Sequence, residues 1–134
     1  IWMSTISDGT IKYNGSGWYE MDYLEPISLS VLDPATAYAI QSSQFNASVY
    51  MYSNSQFNSI EGINIVFPNG GVSVPIDAVN INNVFIGGDK IYRWDNYQVV
   101  EETGIIGNKV KILKMVDEDE GWAITSNGII YRKQ

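Results

Sequence analysis

Three stretches of the chain alternate apolar and polar residues and then run into a turn-forming residue. Leu29, Val31 and Leu32 lead to Asp33; Ile76, Ala78 and Val79 lead to Asn80; Leu113, Met115 and Val116 lead to Asp117. Alternation with a period of two marks a strand with one buried face, and Asp or Asn at its end opens a tight turn. Five residues after each turn residue comes an aromatic: Tyr38, Phe85 or Trp122. A further short apolar segment follows each copy, at 48–52, 90–94 and 128–132, and residues 10–13 match these segments near the start of the sequence. The opening residues 1–5 resemble the segment around Trp122. No i, i+3, i+4, i+7 pattern persists beyond a turn, so the pattern predicts an all-β chain without helices.

The copies recur at a nearly fixed interval. Taking Ile11, Tyr50, Tyr92 and Tyr131 as equivalent gives steps of 39, 42 and 39 residues. A period near 40 made of short strands is the signature of a four-stranded β-propeller blade. The turns at 7–9, 87–89 and 126–128 contain Gly, Asn or Asp, which tolerate the positive φ of tight hairpins. On this phasing 1–17 is a half blade, and 18–53, 54–95 and 96–134 are whole blades, the second with extra length around Ile60 to Gly71. All belong to one region, 1–134. The fold expectation is an arc of about three and a half antiparallel blades. Such an arc leaves apolar faces and sheet edges bare. The expectation is therefore a piece of a larger ring, or a ring completed by another copy or partner. Leu29, Val31, Ile76, Leu113 and Met115 are expected between sheets. Trp2, Tyr38, Phe85 and Trp122 are expected in the core, with Trp18 and Trp94 near unit junctions.

Composition supports this picture and narrows the chemistry. Of 134 residues, 45% are apolar and 13% aromatic, as suits a folded chain rich in strands. Cys and His are both absent. Thiolate nucleophiles, His-based triads, His-ligated zinc and disulfides within the chain are thereby excluded. The net charge of −7 argues against a nucleic-acid surface. Residues 1–89 carry one base, Lys12, against eight acids, whereas 90–134 carry seven of each. This asymmetry reads either as an acidic face toward a cationic partner or as drift in surface composition. No apolar run is long enough for a membrane-spanning helix. The opening Ile1-Trp2-Met3, with neither an initiator Met nor a leader pattern, leads to the expectation of a processed chain or an excised piece of something longer.

The terminal segment 119–132, with Asp119, Gly121, Trp122, Ala123, Gly128 and Ile130, resembles the D-x-G-W-A-V-G-x-x-G-x-I core of photosystem II assembly-factor-type and BNR-like propellers. Trp2, Thr5, Asp8, Gly9 and Tyr13 resemble the blades of two-component-regulator sensor propellers. The resemblance implies a blade and no particular activity. Ser7-Asp8-Gly9-Thr10 only partly matches the Asp box of sialidase-type propellers. With Arg93 and Arg132 as its only arginines, the chain cannot supply their arginine triad.

No pair of carboxylates stands out by spacing, so no catalytic residue is assigned, and no cofactor is expected. The run Asp117 to Glu120 is dense enough to attract a hard cation. It lacks the alternating ligands of a calcium loop, however, and reads as a solvated turn. Aromatics are the remaining candidates. Trp18 and Tyr19, with Tyr23 nearby, are expected to contact a ligand, as stacking platforms for a sugar ring. Asn46-Ala47-Ser48 fits the N-glycosylation pattern. The functional expectation is a non-enzymatic binding or assembly module for a protein or glycan partner, in an extracellular, cell-surface or virion setting. The alternative is part of a glycan-active propeller hydrolase or lyase whose catalytic residues lie elsewhere.

Overall fold

A computed structural model describes residues 1–4, 9–22, 24, 26–42, 46–66, 74–102 and 109–134. These form four antiparallel sheets, each a meander in chain order. Sheet I holds β1 (Trp2–Ser4), β2 (Thr10–Tyr13) and β3 (Trp18–Asp22). Sheet II holds β4 (Ser28–Asp33), β5 (Thr36–Ser42), β6 (Asn46–Ser53) and β7 (Gln56–Val66). Sheet III holds β8 (Ile76–Asn80), β9 (Asn83–Gly87), β10 (Ile91–Trp94) and β11 (Val99–Glu102). Sheet IV holds β12 (Val110–Met115), β13 (Gly121–Thr125) and β14 (Ile130–Lys133). Sheets I, II and III each end one strand later than the repeat units drawn from the sequence. Trp18–Asp22 pairs with Thr10–Tyr13, Gln56–Val66 with Asn46–Ser53, and Val99–Glu102 with Ile91–Trp94. The repeat phase marks recurring side chains, whereas hydrogen bonding follows the short hairpin turns.

Those turns are closed by side chains at the repeated positions. Asp33 Oδ1 accepts from the Ala35 N–H at 2.6 Å, Asn80 Oδ1 from Asn82 at 2.9 Å, and Asp117 Oδ1 from Asp119 at 2.8 Å. Asn14 and Asp95 cap the turns before β3 and β11 in the same manner. Each is an Asx turn, in which a short polar side chain substitutes for a backbone acceptor. Gly9 (φ 70°) and Gly128 (φ 81°) adopt left-handed backbone, which glycine reaches without steric cost. Ser7, Asp8, Tyr23 and residues 67–71 of the long insertion lie outside the described residues.

Successive sheets stack face on face in chain order. The first strands β4, β8 and β12 lie against one another, and the second strand of each sheet touches the first strand of the next, as in β5 with β8 and β9 with β12. β1 occupies the second-strand place in sheet I and touches β4. Side chains tie these strands across the joint. Ser28 Oγ and Ser30 Oγ accept from the N–H groups of Ile76 (3.1 Å) and Ala78 (2.9 Å). Asp77 Oδ2 accepts from the Met115 N–H at 2.6 Å.

The apolar core lies between the sheets. Tyr38, Ile40 and Val49 of sheet II meet Ile76, Val84, Ile86 and Trp94 of sheet III. Phe85 of sheet III meets Leu113, Met115 and Ala123 of sheet IV. Removal of this apolar surface from water is the main favourable term in stacking. A Cβ on Gly87 would lie 2.7 Å from Pro75 Cγ and 2.8 Å from Val110 Cγ1, so only glycine allows the joint to close there.

Ile76, Leu113, Met115, Tyr38 and Phe85 are buried as expected, and Trp94 joins them in the core. Four residues need correction. Leu29 is only half-buried, and Val31 is 41% exposed, because the joint between sheets I and II opens into a cleft at that end. Trp122 is 38% exposed, because no sheet of the described chain lies over the face on which it stands. Trp2 is half-buried, edge-on to Tyr52 at 4.7 Å between ring centres. Among the described residues no helix is long and apolar enough to cross a membrane.

Candidate functional site

The cleft between sheets I and II is the candidate ligand site. It measures about 690 Å³ and is lined by Trp2, Lys12, Asn14, Tyr19, Asp33 and Pro34, among others. Pairing of β1 with β2 and of β2 with β3 sets Trp2, Lys12 and Tyr19 side by side on one face of sheet I. The turn of sheet II contributes Asp33 and Pro34 opposite them. The Lys12 ammonium sits 4.8 Å from the centre of the Trp2 ring and donates to the Pro34 carbonyl. Its position over the ring adds cation–π attraction and fixes the floor of the cleft. The Asn14 side chain is committed to the N–H groups of Ser16 and Gly17. Aromatic surface beside a few polar groups is the composition of a small-molecule or sugar cleft.

Tyr19 and Trp18 are adjacent in one strand and therefore face opposite sides of the sheet. Tyr19, 40% exposed, lines the cleft. Trp18, 48% exposed, turns to the far side and packs on Tyr13 with ring centres 5.4 Å apart. One ligand in the cleft can stack on Tyr19 but not on Trp18. Trp2, Lys12 and Asp33 were not singled out as ligand contacts by sequence reasoning. Sequence period places residues on a face of their own sheet, whereas these three meet across two sheets.

A second polar concavity, about 420 Å³, lies between sheets III and IV. Arg93 Nε donates to Glu102 Oε1 at 2.7 Å, and Lys133 Nζ donates to Glu102 Oε2 at 3.1 Å. Arg93 Nη1 also donates to Asn83 Oδ1 (3.2 Å), and Asn83 Nδ2 donates to Glu118 Oε2 (3.0 Å). Burial would raise the Glu102 carboxyl, but the hydrogen bonds and charges of Arg93 and Lys133 outweigh it and hold it below the usual carboxylate range. Nearby, burial and the hydrogen bond to Asp89 push the Tyr92 hydroxyl up to about 12. Arg93 and Arg132 hold matching places in their sheets, opposite Phe85 and Trp122. Arg132 donates to Glu120 at 2.8 Å and lies 5.6 Å from the Trp122 ring centre.

The acidic run forms the β12–β13 turn. Asp117 Oδ1 accepts from the N–H groups of both Asp119 and Glu120, and Glu118 and Glu120 bind Asn83 and Arg132. Among the described residues no three acids converge on a point that could hold a metal ion. Asn46 is exposed at the start of β6.

No protein-family model and no curated protein sequence matches the chain.

Proposed function

We propose that the four sheets are consecutive blades of a β-propeller arc of the BNR-like or sensor-propeller kind. On this reading the chain works as a non-enzymatic binding or assembly module. The observation that carries the reading is the chain-ordered stacking, with β4, β8 and β12 side by side as a propeller's inner strands would be. The ligand site is the cleft between sheets I and II, and a glycan is the partner its chemistry fits best. Tyr19 provides the stacking face, while Lys12 and Asp33 are at hand for hydroxyl groups. Trp18, the other aromatic expected to contact ligand, lies outside this cleft.

The second reading is part of a propeller hydrolase or lyase with its catalytic residues elsewhere. Glu102 is the carboxylate most enclosed by partners in the polar concavity. It is held ionised, which suits an ion-pair anchor and runs opposite to what a general acid requires.

Screening the purified chain against immobilised glycans, alongside an assay for released reducing ends, tests both readings. Binding without product is expected, lost in Tyr19→Ala and retained in Trp18→Ala. Product release would support the enzyme reading. A blank array, or binding indifferent to Tyr19, would overturn the assignment of the cleft.

A further inference from the structure

The joints between sheets follow one rule. The aromatic of the second strand, on the face toward the next sheet, is covered by that sheet. Trp2 meets Tyr52 and Phe57 of sheet II. Tyr38 meets Trp94 of sheet III, with ring centres 6.0 Å apart. Phe85 is fully buried under sheet IV, with the Lys133 ammonium 5.0 Å from its ring centre. Trp122 is the fourth member of this column, and no other sheet among the described residues covers its face. Around it the register aligns Ile112, Ile124 and Ile130 in one cross-strand row, and Lys114, Trp122 and Arg132 in the next. Ile112 and Ile130 are 56% and 66% exposed. Clustered exposed aliphatics of this kind mark an interaction surface.

The complementary face is at the other end of the stack. Sheet I turns Met3, Ile11 and Trp18 away from sheet II, with Glu20 beside Ile11. In the joints that are formed, the covering face presents residues of the same kind, such as Val84, Ile86 and Trp94 over Tyr38, or Leu113, Met115 and Ala123 over Phe85.

We infer that the Trp122 face of one copy docks on the Trp18 face of a second copy, head to tail, continuing the stacking already present within the chain. The joint is heterologous, so it either closes or propagates. Two copies of four sheets make eight, a number at which propeller rings close. This inference rests on the observed stacking and not on the glycan reading, so the two fail separately.

Sedimentation velocity of the 134-residue chain over a concentration series tests it. The wild-type chain self-associates. Trp122→Glu and Trp18→Glu each weaken association at least about tenfold, because each buries a charge in an apolar joint. Mixing the two variants restores pairing, since each retains one sound face and these two faces are complementary. A face that paired with its own kind would show no such recovery. If Trp122→Glu loses its β-sheet circular dichroism, Ile130→Lys, on the last strand of the same face, replaces it. A wild-type chain monomeric at all concentrations overturns the inference. So does association unchanged by a folded variant of the Trp122 face, or the absence of recovery on mixing.

Discussion

Asp77 and Met115 join two sheets through one short hydrogen bond, the Met115 N–H donating to Asp77 Oδ2 at 2.6 Å. Asp77 is buried, and its other oxygen accepts from Lys114 at 3.0 Å. The side chain therefore satisfies a first-strand N–H of sheet IV that has no partner within its own sheet at that face. Ser30 does the same for Ala78 one joint earlier.

Asp77→Leu removes this acceptor and leaves the Met115 N–H unpaired at a closed joint. The expected cost is about 2–3 kcal/mol, the range for stranding a buried donor together with losing a charge-assisted bond. Asp77→Asn keeps an acceptor of similar shape and is expected to lose less. Urea unfolding midpoints of the two variants decide the matter, and equal losses would count against the role given to the Met115 N–H.

Glu102 predicts a pH dependence with a definite sign. Arg93 and Lys133 hold its folded-state pKa below the ordinary value of 4.5. Its contribution to stability is thus fully present above that ordinary value and is lost as pH falls through the lowered folded-state value. The difference in unfolding midpoint between the wild-type chain and Glu102→Gln should be constant near neutrality and shrink in acid. A difference that grows on acidification would contradict the ion-pair assignment.

Tyr38 and Trp122 hold the same place in their sheets but differ in cover. Replacement of Tyr38 by Ala opens a fully enclosed site and should cost about 3–5 kcal/mol. At concentrations where the chain is monomeric, Trp122→Ala should cost about 1 kcal/mol or less, as surface changes do. Thermal melts at low protein concentration measure both, and a Trp122 loss as large as that of Tyr38 would contradict the exposure described here.

The sequence disclosed what depends on local chemistry and concealed what depends on neighbours. The Asx turns at Asp33, Asn80 and Asp117 were legible because the side chain that closes each turn lies two residues from the N–H it binds. The register placing Tyr38, Phe85 and Trp122 in one column was legible for the same reason. The exposure of Trp122 and Val31 was not, because strand alternation says which face a residue occupies and not whether another sheet covers it. The burial of Trp94 and Asp77 was hidden conversely, since their partners lie in other sheets, 56 and 38 positions away for Tyr38 and Met115. In the cleft, Tyr19 was visible as a stacking aromatic, whereas its neighbours Trp2 and Asp33 arrive from separate strands.

Stacking in chain order also sets how the chain comes apart. Among the described residues the main contacts of each sheet are with the sheets before and after it, so cohesion is distributed along a line and not around a single centre. Sheets II and III are held from both sides, and sheets I and IV from one. In the isolated monomer, amide protons of β5 and β9 should exchange with solvent last, and those of β2 and β14 first, with loss of order travelling inward from either end.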